Sequence, residues 1–195
     1  FAIEEDEKGT YILNSKDLCL LSHIDKLMQA GIRSFKIEGR VKSAFYVATA
    51  TRAYRRAIDA VLAGEFTQAR KEELTEELKK CSHRKFTTGF LLGKPDEKDQ
   101  NYASSGYERN YEFIGVVEEV NDAADTMTVS QRNKFGRGDN IEAMMPKGDI
   151  VSFVVNEMQN EAGEPVETAP HPKERVTIPR VSGIEKGAFL RRKGV

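Results

Sequence analysis

The sequence predicts an α/β barrel-like fragment, the last βα units of a TIM-type barrel, followed by a small all-β barrel domain. Three observations carry this. Residues 10–64 alternate short β-like runs with helical ones, the signature of βαβ units on a parallel sheet. A stretch rich in Gly, Pro, Asp, Asn and Ser then runs from Gly93 to Gly106. Beyond it the apolar period changes to two, in closely spaced runs separated by turns. Two strand–helix pairs cannot cover both faces of a parallel sheet, so they are expected to close a larger wheel. The expected boundaries are residues 1–95 for the barrel portion, 96–107 for a linker and 108–195 for the β domain.

Residues 10–14 are the first expected strand. In the next segment Leu20, Ile24, Leu27 and Met28 share one helical face, and Gly31 stands where a C-cap belongs. Ser22 and Asp25 have the spacing of a capping box. Residues 33–38 alternate strictly and read as a second strand, ended by a turn at Gly39. The strongest helix is expected from Lys42 to Leu62, with Val47, Ala50, Tyr54, Ala57, Ile58, Val61 and Leu62 toward a core. Arg52, Arg55 and Arg56 are expected to point mostly away from it. A charged helix over 68–81 turns Leu74 and Leu78 inward. In the β domain the runs are 111–121, 126–131, 139–145, 150–156 and 175–178, with turn signals such as Lys147-Gly148 and Ala162-Gly163 between them.

Composition bounds the function. The 39% apolar content fills an interior, and 31% charged residues with 8% aromatics give a well-solvated surface. Thirty Lys and Arg against 31 Asp and Glu leave a net charge of −1, so binding to nucleic acid or membrane needs a local patch. Two cysteines, Cys19 and Cys81, favour a reducing cytoplasm over a disulfide framework. No charged leader precedes an apolar run, and no apolar stretch approaches the ~18 residues of a membrane span. The opening at Phe1 reads as the middle of a longer chain, so upstream sequence is expected.

Residues 33–38 are the most informative segment. Phe35 and Ile37 point one way and Ser34, Lys36 and Glu38 the other, because successive side chains alternate. In a β/α barrel the outward face packs on helices, so Lys36 and Glu38 are expected to face the interior near the C-terminal rim, where barrel active sites lie. Arg40 and Lys42 follow on the βα loop. The competing reading is an exposed strand face with solvated charges. Cys19, just after the first strand, is a buried small hydrophobe, a nucleophile or a metal ligand. His23, His83 and His171 lack metal spacing and read as surface or capping residues. Arg84 and Lys85, beside Phe86, Phe90, Tyr102, Tyr107, Tyr111 and Phe113, either offer stacking and phosphate contacts to RNA or flank a hydrophobic seam.

Residues 10–62, above all Ser-Lys-Asp-Leu-Cys19 and Ser34-Phe-Lys-Ile-Glu-Gly-Arg-Val-Lys-Ser43, closely resemble the collagenase-like peptidase family U32. The resemblance continues through 84–90 and the β domain from Tyr111. It implies a larger protein with a barrel-like catalytic domain and a small C-terminal β-barrel. Members of the family resemble hydroxylation proteins acting on tRNA wobble uridine, ribosomal RNA or a quinone precursor, with prephenate a linked metabolite in the tRNA branch. They use a 4Fe-4S cluster held by four cysteines, and Cys19 matches the fourth. Cys81 matches none, and the other three ligands belong upstream. The resemblance further implies tRNA or another RNA as substrate, a partner subunit of the same family, and no membrane. On this reading Lys36, Glu38 and Arg40 are catalytic rim residues, Lys42, Arg84 and Lys85 bind substrate, and Cys19 holds metal. The fragment alone is expected to assemble no cluster and to be inactive. A peptidase, as the family name says, and a non-catalytic RNA- or protein-binding module are the alternatives.

Overall fold

The computed structural model describes residues 4–6, 9–11, 16–95 and 106–194. The chain divides into a helical unit, Phe1–Arg109, and a β unit, Asn110–Val195. The linker expected at 96–107 lies mostly outside the described residues.

In the helical unit, β1 (Glu4–Asp6) and β2 (Gly9–Tyr11) pair antiparallel. The strand expected at 10–14 therefore begins as the arm of a hairpin, and residues 12–14 lie outside the described residues. Parallel pairing does occur, between β3 (Asp17–Leu18) and β4 (Phe86–Thr87). Each is two residues long, too short for periodicity to mark. A 3₁₀ turn at Leu21–His23 then leads into α1 (Ile24–Gln29), which buries Ile24 and Leu27. Gly31, at φ 89°, ends it as expected. Its N–H reaches Met28 O (3.0 Å) and that of Ile32 reaches Leu27 O (3.1 Å), a Schellman arrangement. The capping box does not form, because the 3₁₀ turn moves the helix start to His23. Ser22 Oγ instead lies 3.4 Å from Thr75 Oγ1, and Asp25 pairs with Lys71 at 2.8 Å.

Residues 33–38 form no strand. Their alternation nevertheless survives: Phe35 and Ile37 pack on the helical core, while Lys36 and Glu38 are exposed. Alternation reports which face is apolar, whereas a strand also needs a neighbouring edge to pair with. No described strand offers one.

α2 (Ala44–Ala63) begins at Ser43, whose Oγ accepts the Tyr46 N–H (3.2 Å), and ends at Gly64. Ala50 and Ala57 are buried and Tyr54, Ile58 and Val61 pack on the core as expected, Ala53 and Ala60 are buried with them, and Val47 and Leu62 are instead 40% and 71% exposed. An alanine stripe lets neighbouring elements approach the helix closely, which the larger residues would prevent. Arg52, expected outside, is 6% exposed, since a long aliphatic stem can pack while its head finds partners. α3 (Gln68–Leu78), capped by Thr67, turns Leu74 and Leu78 inward as expected.

The β unit contains β5 (Tyr111–Asn121), β6 (Thr126–Gln131), β7 (Phe135–Gly136), β8 (Asn140–Met144), β9 (Val151–Val154), β10 (Thr168–Ala169), β11 (Arg175–Pro179) and β12 (Phe189–Lys193). Six of them form an antiparallel sheet in the order β11-β6-β5-β12-β8-β9, and β7 pairs with β10 apart from it. Register shifts at Val117/Glu119 in β5 and Leu190/Arg191 in β12 help the sheet curl. Gln159, just past the edge strand β9, exchanges two backbone hydrogen bonds of 2.9 Å with Thr177 on β11, the opposite edge. The enclosed core includes Ile114, Val117, Val129, Ile141 and Leu190.

β12 escapes sequence reading because Arg191 and Arg192 stand side by side in it. Arg191 is fully buried, with its Nη2 2.7 Å and Nε 2.8 Å from Glu142 Oε2 on β8, directly across the ladder. Its guanidinium also lies over the Tyr111 ring at 5.4 Å. Arg192 pairs with both Asp139 and Glu112. Paired charges let a basic segment run between β5 and β8. Among the described residues, no helix is long and apolar enough to cross a membrane.

Candidate functional site

A cavity of about 530 Å³ opens within the helical unit. Its walls come from the end of β3, the extended segment 34–38, α2, and residues 81–86. Of the residues picked from sequence it gathers Cys19, Lys36, Glu38 and Lys42, while Arg40, Arg84 and Lys85 lie outside its lining. Gly39 holds the turn between the segment and α2. A Cβ there would come within 2.7 Å of Val47 Cγ2, so the close approach needs glycine. Glu38 Oε1 accepts the Arg40 N–H at 2.7 Å and rigidifies the same turn.

Asp17 organises one side. The parallel pairing of β3 with β4 fixes it, through its N–H to Lys85 O (2.9 Å). Its Oδ2 accepts the Arg84 N–H at 3.0 Å and faces Lys42 Nζ at 3.5 Å. The Lys42 ammonium also lies over the Tyr107 ring at 4.2 Å and the Tyr46 ring at 5.1 Å, and the Arg84 guanidinium lies over Tyr107 at 5.1 Å. Two residues expected to bind substrate are thus joined through Asp17 and Tyr107. Lys85 contributes its backbone carbonyl, and its side chain is exposed.

Cys19 occupies the other side. Its N–H reaches Thr87 O at 2.9 Å, which fixes the backbone, and the Tyr54 hydroxyl lies 3.9 Å from its Sγ. Burial pushes the thiol pKa up, and the nearby Asp17 charge adds to this. Hydrogen bonds from the Leu21 backbone and Tyr54 act in the opposite direction. The balance leaves the thiol pKa above its ordinary value. Cys81 also lines the cavity; it is buried, and its Sγ donates to Leu78 O at 3.0 Å.

His83 corrects the expectation of a surface or capping role: it is 2% exposed and lines the cavity. Its Nδ1 bonds Arg84 O at 2.8 Å and its ring packs on Phe86 at 4.8 Å, while Nε2 has no partner. A hydrogen bond to a carbonyl requires the proton on Nδ1, so Nε2 of the neutral ring is an acceptor. His23 occupies the N-cap of α1 without a side-chain bond, and His171 is exposed.

The aromatics considered for RNA stacking fall into separate settings. Phe90 is 81% exposed and Tyr107 41%, whereas Phe113 stacks on Phe189 inside the β unit at 5.4 Å. Tyr102 lies outside the described residues. Asp17, Tyr46, Tyr54 and His83 were not among the sequence candidates. Asp17 lies in the Ser-Lys-Asp-Leu-Cys19 string without its pairing being legible there, and Asp17 and Tyr54 acquire their roles from partners distant along the chain.

Among the described residues, no group of three or more His, Cys, Asp and Glu is arranged to hold a metal ion. The sequence holds two cysteines, both of which line the cavity, so the chain cannot by itself supply the four thiolates of a whole cluster.

Two family matches cover most of the chain: peptidase family U32 over residues 2–101, and the peptidase family U32 C-terminal domain over residues 109–191. The chain is 38% identical over 183 residues to "tRNA hydroxylation protein P" of Escherichia coli (strain K12), covering 93% of this chain and 39% of that protein. It is 34% identical over 113 residues to "Collagenase" of Porphyromonas gingivalis, covering 58% of this chain and 31% of that protein. The chain thus spans two fifths or less of the length of these relatives. A crystallised C-terminal domain from Geobacillus thermoleovorans, assigned to the U32 peptidases, matches 43% of this chain and 93% of its own, at 26% identity and a TM-score of 0.40.

Proposed function

Because the chain belongs to peptidase family U32, we propose that its parent protein takes part in hydroxylating an RNA base, the tRNA wobble uridine in the first instance. In this reading the helical unit supplies the last βα elements of a TIM-type barrel active site in a cytoplasmic enzyme, and the β unit is the small barrel that follows. The observation that carries the site is the convergence of Cys19, Lys36, Glu38 and Lys42 on one cavity. The relative named for tRNA hydroxylation supports the reaction.

Cys19 would hold one iron of a 4Fe-4S cluster whose other thiolates lie outside this chain. When bound, the cluster supplies one-electron chemistry. Lys36 and Lys42 bind a phosphate or carboxylate, including that of prephenate. Lys42 does so by exchanging its Asp17 partner. Glu38, exposed and held at the Gly39 turn by the Arg40 N–H, orients the substrate or moves a proton. Arg40, Arg84 and Lys85 lie beside the cavity and contact the RNA backbone. A partner subunit of the same family would complete the RNA-binding surface.

The test uses the full-length parent. Cys19→Ala should lower its iron and sulfide content and Cys81→Ala should not. Lys36→Ala and Glu38→Ala should remove 5-hydroxyuridine from the tRNA of complemented cells. Full cluster occupancy in Cys19→Ala, with unchanged nucleosides in the rim variants, sinks the proposal. The collagenase-named relative keeps a peptidase as the second reading. Gelatin cleavage by this chain, abolished by substituting one of its own residues, would establish that reading instead.

A further inference from the structure

The cavity wall contains a buried nitrogen that the proposed chemistry does not use. His83 is 2% exposed and held on several sides. Its backbone N–H donates to Glu108 O at 3.3 Å and its carbonyl accepts the Glu108 N–H at 2.8 Å. Its Nδ1 bonds Arg84 O at 2.8 Å, and its ring packs on Phe86. Among the described residues nothing meets Nε2, which is itself buried. A polar atom stripped of water and given no replacement is costly, so native proteins rarely leave one. With the ring proton on Nδ1, Nε2 presents an acceptor lone pair. Turning the ring to pair Nε2 elsewhere would break the Arg84 bond. Bulk water does not reach this nitrogen, so its donor comes through the cavity that the ring lines.

We infer that His83 is the specificity residue of this cavity: its Nε2 accepts the N3–H of a uracil base and thereby excludes cytosine. This rests on the reading in which the substrate is a uridine in RNA. Uracil carries a hydrogen-bond donor at N3 between two carbonyls, whereas cytosine carries a lone pair at N3. Opposite Nε2 the first makes a hydrogen bond and the second sets two lone pairs face to face. A site with a fixed polar group rejects the wrong ligand strongly, because that ligand leaves the group buried and unpaired. The rest of the lining suits a flat base. Phe35, Ile37, Tyr46 and Phe86 bring apolar surface to it, and its volume of about 530 Å³ falls within the roughly 300–1,000 Å³ of small-ligand sites. Unstacked bases are read in this way, with their faces covered and their Watson–Crick edge hydrogen-bonded.

The test is equilibrium binding to the full-length parent, which needs no turnover. Fluorescein-labelled RNA hairpins, identical except for a single loop base that is uridine, 3-methyluridine or cytidine, are titrated and followed by anisotropy. The unaltered protein should bind the uridine hairpin about tenfold more tightly than either of the others. His83→Asn puts an amide nitrogen where Nδ1 was, keeping a donor for Arg84 O, and removes the Nε2 acceptor. Uridine and cytidine hairpins should then bind within about twofold of each other, and the 3-methyl penalty should shrink. Equal affinities in the unaltered protein overturn the assignment, and so does a uridine preference that persists in folded His83→Asn. A preference for cytidine overturns it as well, since Nε2 would then be acting as a donor. Should His83→Asn fail to fold, His83→Phe, which keeps a ring on Phe86, takes its place with the same expected loss. If neither folds, the unaltered protein decides, and a uridine hairpin bound no better than the 3-methyluridine one sinks the assignment. Hairpins bound tightly without regard to that base leave the RNA reading standing and this one fallen, whereas hairpins that do not bind take down both.

Discussion

The β unit and the helical unit satisfy their backbones and apolar faces to different extents. In the β unit, β12 is hydrogen-bonded on both sides, Gln159 beyond β9 bridges to Thr177 on the opposite edge strand, and Ile114, Val117, Val129, Ile141 and Leu190 are fully buried. In the helical unit, residues 32–39 run extended without a ladder, and Leu18, Ile32 and Val41 are exposed. Its parallel pairing is two residues long. Parallel strands are stable when covered on both faces and flanked in the sheet, conditions the helical unit does not meet by itself. The candidate site lies in the unit with unmet strand pairing.

The sharpest way to break this comparison is to produce the units separately. Residues Asn110–Val195 should melt in one cooperative transition with near-UV circular dichroism, whereas Phe1–Arg109 alone should show little cooperativity and weak hydrogen-exchange protection. Equal cooperativity in both would remove the contrast. Within the β unit, Glu142→Ala removes the carboxylate paired with the fully buried Arg191 guanidinium and should cost about 3–5 kcal/mol by urea denaturation. A loss below about 1 kcal/mol would mean that the central position of β12 does not depend on this pair.

Smaller effects are expected in the helical unit. Phe35 is half-buried, so Phe35→Ala should cost about 1–2 kcal/mol, less than the ~3–5 kcal/mol of a fully enclosed Phe. Lys36→Ala should stay within about 0.5 kcal/mol. Equal losses at both positions would show that the alternation along 33–38 has no packing consequence. The smallest effect is electrostatic. Burial pushes the Asp25 pKa up, but its bond and charge pairing with Lys71 and its backbone hydrogen bonds more than offset this, holding the carboxyl below its ordinary range. A lowered folded-state pKa gives stability that is present above the unfolded value of about 3.9 and lost as pH falls through the folded one. Asp25→Asn should therefore cost about 0.5 kcal/mol at pH 7, screened by solvent, and nothing near pH 2. Urea midpoints at the two pH values check this, and a loss that persists in acid would point to a packing origin.

By itself the sequence determined the features set by neighbours a few residues apart. β5 and β6 span the runs read from the period of two, α3 turns Leu74 and Leu78 inward, and Gly31 ends α1 in the left-handed conformation. The Phe35/Ile37 against Lys36/Glu38 parity also survives, because alternation is a property of any extended chain. Tertiary structure alone decided the rest. Whether 33–38 becomes a strand depends on an edge to pair with, which local pattern cannot supply. β12 looks too charged to be central until Glu142, Asp139 and Glu112 arrive to pair its arginines. Tyr54 and His83 enter the site through partners that the fold brings to them, Leu20 and Cys19 for the one and the cavity wall for the other. Local dihedral and burial preferences are written residue by residue, whereas pairing energies exist only once distant segments meet.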